Sequence, residues 1–190
     1  LRAAIVKARS NSVPKDNIQR AIKKGSGDTD GRTFEELAME GYGPGGVAIM
    51  ARCLTDNRNR TASEVRYAFS KGGGNLGAMG CVGYLFKKLG VIEVVSDDEE
   101  AVMMAAMDAG AEDFEEQEGG FRVFSEPQDF TGVVEALEAA GLELSSSEIK
   151  MVPDTFVRLS AEDRRGLERL LALLEDCDDV PQVYHNAEAI

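Results

Sequence analysis

The stretch VIEVVSDDEEAVMMAAMDAGAEDFEEQEGGFRVFS, residues 91–125, decides the fold. Val91–Val95 is a short apolar, β-branched run of the kind that forms a buried strand. Asp97–Ala109 then reads as a helix whose acids gather in the first turn, where the helix dipole favours negative charge. Two strand-like stretches follow, Ala111–Gln117 and Phe121–Ser125, turned by Gly119–Gly120. A helical pattern over Gln128–Ala140 and a strand over Glu148–Val152 complete the order β-α-β-β-α-β, the split βαβ unit of ferredoxin-like folds.

Outward from this unit the pattern is less regular. Before it, strands over Glu36–Tyr42 and Val47–Leu54 are joined by GPGG. A helix from about Ala62 to Ser70 and a strand over Cys81–Phe86 follow. After it come a strand or turn at Phe156–Leu159, a leucine-rich helix over Ala161–Glu175 and a final strand over Val180–His185. These pieces make a second α+β layer, so the split unit is expected to be inserted within another small domain. At the front, Pro14 suits the first turn of a helix that buries Ile18, Ala21 and Ile22 and stops at Gly25. GSGDTDG, residues 25–31, is a linker by composition. The expected class is therefore α+β with several domains: a helical N-terminal domain (1–27), a second α+β domain (31–89 and 154–190), and an inserted, acidic, ferredoxin-like domain (90–153). Leu1 already lies in a helical pattern that lacks a cap, so further sequence is expected upstream.

The chain has 190 residues, 43% hydrophobic and 29% charged, a globular balance with enough length to bury a core. No apolar run is long enough to span a bilayer as a helix, and no secretory signal is visible. Cys53, Cys81 and Cys177 are odd in number and share no short spacing, which fits buried thiols in a reducing compartment better than disulfides or zinc. A cytoplasmic location is the expectation.

Net charge is −13, which taken alone argues against a nucleic-acid partner. The distribution argues otherwise. Residues 1–24 carry seven Lys and Arg against one acid, residues 25–90 carry eight bases and seven acids, and residues 91–190 carry six bases and 26 acids. The segments therefore hold +6, +1 and −20. Such asymmetry points one end of the chain toward an anionic partner and keeps the other end clear of it.

Motifs for small-molecule chemistry fail on context. GYGPGG (41–46) matches G-x-G-x-x-G, but a β-branched segment follows it where a dinucleotide site needs a helix, so a glycine-rich hairpin is expected. KGGGNLG (71–77) places its lysine before the glycines, unlike a phosphate-binding P-loop, and fits a helix C-cap whose amides could still meet phosphate. His185 is the sole histidine and no nucleophile is marked beside it, so no catalytic residue is assigned. One histidine with scattered cysteines supplies no metal site, SDDEEAV lacks calcium-loop spacing, and no cofactor or small-molecule substrate is expected.

TDNRNRTASE (55–64) carries more. Thr61 and Glu64 fit a capping box, which leaves Arg58 and Arg60 on a polar loop beside a helix start, a place that attracts phosphate. The other reading is solvated surface with an internal Asp56–arginine pair. Arg66 falls about two turns along and Lys71 ends the helix. The expected phosphate-contacting set is thus Arg58, Arg60, Arg66 and Lys71 together with Lys7, Arg9, Lys15, Arg20, Lys23 and Lys24 of the basic front segment.

Three segments carry a family resemblance: LRAAIVKARSNSVPKDNIQRAIKKG (1–25), EGYGPGGVAIMARCLTDNRNRTASEVRYAFSKGGGNLG (40–77) and DDVPQVYHNAE (178–188). In this order and over essentially the whole chain they resemble the YebC/PmpR family of transcriptional regulatory proteins and mitochondrial translational activators. The resemblance implies a helical first domain and two α+β domains, the ferredoxin-like third inserted in the second. It also implies a basic helical segment several dozen residues upstream of Leu1. In function it implies DNA binding for transcriptional control without enzymatic activity, or action on the ribosome, so that the partner is DNA, ribosomal RNA or both. A protein-interaction module whose acidic half docks on a basic partner is the more distant alternative.

Overall fold

The computed structural model describes residue 5, residues 15–25 and residues 33–188. Helix α1 spans Lys15–Gly25. Ile18 and Ile22 are half-buried on it, whereas Ala21, expected on the same face, is exposed. The apolar stripe is narrow because it rests on one i, i+4 pair.

Strands β1 (Glu35–Tyr42) and β2 (Ala48–Thr55) form an antiparallel hairpin in which Tyr42 faces Ala48. Its connection is a short 3-10 turn, Pro44–Gly46, so the glycine-rich hairpin expected for GYGPGG is what forms. Helix α2 covers Arg58–Lys71 and strand β3 is the pair Asn75–Leu76, hydrogen-bonded back to β1. The expected strand at Cys81–Phe86 is instead a 3-10 turn, Gly83–Leu85. The carboxylate of Glu40 holds this turn by accepting N–H bonds from Gly80 (3.0 Å), Val82 (2.9 Å) and Gly83 (2.6 Å). Those amides are therefore taken up by a side chain and not by a ladder.

Strand β4 (Phe86–Val95), helix α3 (Glu99–Asp108), strands β5 (Ala111–Gln117) and β6 (Gly120–Ser125), helix α4 (Phe130–Ala139) and strand β7 (Glu143–Pro153) follow. The expected break at Lys87–Lys88 does not occur, because both residues sit on β4 paired with Met151 and Val152 of β7. The sheet order is β5-β6-β4-β7 and every pairing is antiparallel, which is the split βαβ arrangement. The turn into β6 needs glycine: a Cβ on Gly120, at φ +157°, would lie 2.0 Å from the Val94 carbonyl oxygen. Strand β7 is longer than the expected Glu148–Val152. Its first half, ELSSS, has low strand propensity, but as an edge strand with alternating exposure it forms by pairing with β4.

Helix α5 (Ala161–Glu175) and strand β8 (Gln182–His185) return to the first sheet, whose order is β3-β1-β2-β8. Phe156–Leu159 contributes a single bridge, Val157 to Ala187. Helices α2 and α5 cover this sheet through Val65, Ala68, Phe69, Leu167, Leu170 and Leu174, all buried. Helices α3 and α4 cover the second sheet through Val102, Ala106, Val133 and Leu137. A small third cluster joins Ala48 and Met50 of the first sheet to Phe86 of β4 and Met151 of β7.

The second sheet is thus spliced into the first between β3 and β8. The chain enters and leaves it side by side: the Asp154 amide donates to the Leu85 carbonyl at 2.9 Å, and Lys87 pairs with Asp154 at 3.2 Å. We propose that this unit is a domain in its own right. A fragment of residues 86–153 is expected to unfold in one cooperative thermal transition, because the α3–α4 core is complete within it. A fragment with no transition would refute a separate domain.

Candidate nucleic-acid interface

The local structure around TDNRNRTASE differs from the capping-box expectation. Helix α2 starts four residues earlier than expected, with Asn57 as its N-cap: the Asn57 side chain accepts the Arg60 N–H at 3.1 Å. The Thr55 hydroxyl accepts the Asn57 N–H at 2.9 Å and fixes the entering backbone. Thr61 lies inside the helix and is fully buried, with its hydroxyl 2.7 Å from Asp179 Oδ2 and 3.1 Å from the Asn57 carbonyl. A threonine can bond its own helix in this way as well as cap one, which is why the T-x-x-E pattern misleads here. Arg58 and Arg60, expected on a loop, therefore lie in the first turn of the helix.

Arg60 is committed to the fold. Its guanidinium pairs with Asp56 at 2.9 Å and with Asp179 at 2.7 Å. The same Asp179 oxygen also receives the hydroxyl of Thr55 at 3.1 Å. Burial pushes the Asp179 carboxyl up, but the bonds from Arg60, Thr61 and Thr55 outweigh it and hold the group below the ordinary aspartate value. The internal arginine pair named as the alternative reading of this stretch is therefore present, and it belongs to Arg60.

The remaining cations of α2 point elsewhere. Arg58, Ala62 and Arg66, spaced four apart on one face, line a small cleft of about 220 Å³ with Leu37, Leu76 and Met79. Lys71 lines a different cleft, beside Gly72 and Gly73. Arg60 faces a cavity of about 660 Å³ whose walls also carry Asp56, Glu64, Asp176, Asp178 and Asp179, a surface that repels phosphate. The helix thus separates the expected set: Arg58 and Arg66 come together, Lys71 lies at the C-terminal end, and Arg60 is drawn to the acidic side. Arg58, Arg66 and Lys71 are exposed and form no ion pair with any described residue. Lys15 is exposed at the start of α1. Arg20, Lys23 and Lys24 fall within α1, with side chains outside the described set, and Lys7 and Arg9 lie outside the described residues.

Nothing in the thiols or the histidine suggests a nucleophile. Burial and the nearby Asp179 carboxylate push Cys53 up to about 11, and burial likewise raises Cys81 and Cys177, the reverse of what a reactive thiol needs. His185 is held below its ordinary value by burial, and its Nδ1 accepts the Ala187 N–H at 3.2 Å. It is a neutral strand residue that ties the β8 end. His185→Ala is expected to cost about 1 kcal/mol of stability, the worth of that bond and its packing, while cellular function stays as in the parent. Lost cellular function in a variant with unchanged melting would contradict this. Among the described residues, no group of three or more His, Cys, Asp and Glu could hold a metal ion, and no helix is long and apolar enough to cross a membrane.

Comparison with known proteins matches residues 34–187 to the model of the second and third domain of TACO1/YebC. The chain belongs to the TACO1/YebC family. A probable transcriptional regulatory protein of Clostridium tetani is 54% identical over 191 residues, covering 99% of this chain and 78% of that protein. One from Aeromonas hydrophila is 51% identical over 187 residues, covering 98% and 76%. The crystal structure of a conserved hypothetical protein from Aquifex aeolicus superposes with a TM-score of 0.83 at 45% identity, covering 99% of this chain and 79% of that one. The TACO1/YebC fold, with a split βαβ sheet spliced into a first α+β layer, is thus the fold expected from the three quoted segments.

Proposed function

We propose that this TACO1/YebC family member is a nucleic-acid-binding regulator of gene expression and not an enzyme. One observation carries the reading. In a chain with 34 acids and 21 Lys and Arg, Arg58 and Arg66 lie on one exposed face of α2 without an ion-pair partner among the described residues. Where carboxylates are in such excess, surface cations readily find internal partners, as Arg52, Arg60, Arg122 and Arg158 do. Two guanidiniums kept free are suited to an external anion, and a guanidinium fork fits phosphate oxygens. The basic front segment, with Lys7, Arg9, Lys15, Arg20, Lys23 and Lys24, supplies the rest of the phosphate-contacting surface, and residues 91–153, with 17 acids against two bases, are kept clear of it.

Phosphate contacts of this kind position a protein on nucleic acid without reading sequence. The names of the relatives favour transcriptional control through DNA, and a ribosome-associated role in translation draws on the same chemistry. The experiment that separates them is recovery of the tagged protein from cells, followed by sequencing of bound DNA and assay for ribosomal subunits. Selective enrichment of promoter DNA supports the first reading and cosedimentation with ribosomes the second; recovery of neither refutes nucleic-acid binding.

A further inference from the structure

The two glycine motifs, GYGPGG and KGGGNLG, lie far apart in sequence and meet against α5. Gly72, at the end of α2, packs so closely that a Cβ there would fall 2.6 Å from Leu170, and a Cβ on Gly166 would fall 2.8 Å from the Pro44 ring. The absence of side chains at these two points lets the end of α2 and the Pro44 turn close on the helix. What remains between them is a cleft of about 510 Å³. Its charged wall consists of Lys71, Arg165, Arg169, Glu162 and Asp163.

The charges in this cleft are not equivalent. Asp163 is engaged at the α5 N-cap, where the Ser160 hydroxyl donates to its carboxylate at 2.6 Å and its own N–H donates to Ser160 at 3.1 Å. Arg165 and Arg169 are one turn apart on the same exposed helix face, and neither forms an ion pair with a described residue. Lys71 joins them from the other helix. Three cations, unpaired among the described residues, therefore converge from two helices against two carboxylates, Glu162 and the Ser160-bonded Asp163, which leaves the charged wall at +1. The leucine-rich pattern of α5 marks its buried face, and the i, i+4 pair Arg165 and Arg169 is the sequence signal of its exposed one.

We infer that this cleft binds the phosphodiester backbone of a nucleic-acid strand, with Arg165 and Arg169 as phosphate-contacting residues together with Lys71. The inference rests on the nucleic-acid reading above and extends the interface from α2 onto α5. Two guanidinium forks a turn apart give directional contacts to successive phosphate oxygens, and Lys71 adds a point charge. Glu162 opposes the anion, which makes its removal informative.

The test uses the whole protein and two probes, a short duplex DNA and an RNA hairpin, each titrated across a salt series. Arg165→Ala with Arg169→Ala is expected to reduce the slope of log K against log salt by about two units. Glu162→Gln is expected to tighten binding. A reduced slope on one probe only identifies that nucleic acid as the source of the phosphates, and a reduced slope on both places the contact on backbone common to the two. If the parent protein binds and neither substitution changes affinity or slope, the cleft inference fails and the α2 surface stands alone. If the parent binds neither probe, the inference and the functional reading fall together. Circular dichroism and melting of both variants must match the parent; a loss of binding that follows a loss of folding counts against the cleft, because Arg165 and Arg169 would then be structural.

Discussion

Asp179→Ala is expected to destabilise the protein by about 3 kcal/mol. The Asp179 side chain is 11% exposed, and its carboxylate receives Arg60, Thr55 and Thr61. Removing it strips the Arg60 guanidinium of its nearest partner and leaves two fully buried hydroxyls to satisfy one another. Exposure of Arg60 moderates the loss, since its side chain is 45% exposed and can turn to water. Asp179→Asn keeps an acceptor and is expected to cost about 2 kcal/mol. Chemical denaturation measures both. The pH dependence follows from the direction of the shift. The folded-state value lies below the unfolded one, so the contribution is fully present above the unfolded aspartate value and is lost as pH falls through the lowered folded value. The gap in stability between parent and Asp179→Asn is therefore expected to narrow in strongly acid solution and to stay constant around neutrality. A cost below about 0.5 kcal/mol at neutral pH would mean that the network does not hold α2 to the segment before β8.

This network marks the boundary of what could be read from the sequence. The split βαβ unit was legible because each element has its own period and its own turn glycines; Ala111–Gln117 and the α5 limits coincide with the structure. The elements left over on either side were legible as a second layer, and their strands share the sheet β3-β1-β2-β8. The start of α2 was not, because two cap patterns overlap within ten residues and only tertiary contact decides between them. Asp179 is 124 residues from Thr55 and 119 from Arg60, and no local pattern signals such a partner. The same contact decides which arginine is free. Arg58 and Arg60 look alike in TDNRNRTASE, but two residues on a helix differ by about 200° in direction, so one faces the Arg66 side and the other the acidic cavity. The turn at Gly83–Leu85 was missed for a related reason: CVGYLF is strand-like by composition, and its amides are claimed by Glu40 from a strand 40 residues away.

The other large effect concerns binding. Arg58→Ala, Arg66→Ala and Lys71→Ala combined are expected to leave the fold intact, since all three side chains are exposed and unpaired among the described residues. Arg60→Ala, by contrast, is expected to destabilise the fold and so cannot serve as a probe of the interface. The measurement that tests the nucleic-acid reading most directly is the affinity of the parent and of this triple variant for duplex DNA and for ribosomes across a salt series. Each phosphate contact contributes about one unit of slope in log K against log salt and weakens all sequences alike when lost. The parent is expected to show a steep, linear salt dependence and the variant a slope about three units shallower, with similar losses on unrelated sequences. Binding whose affinity and slope are the same in both proteins would contradict it.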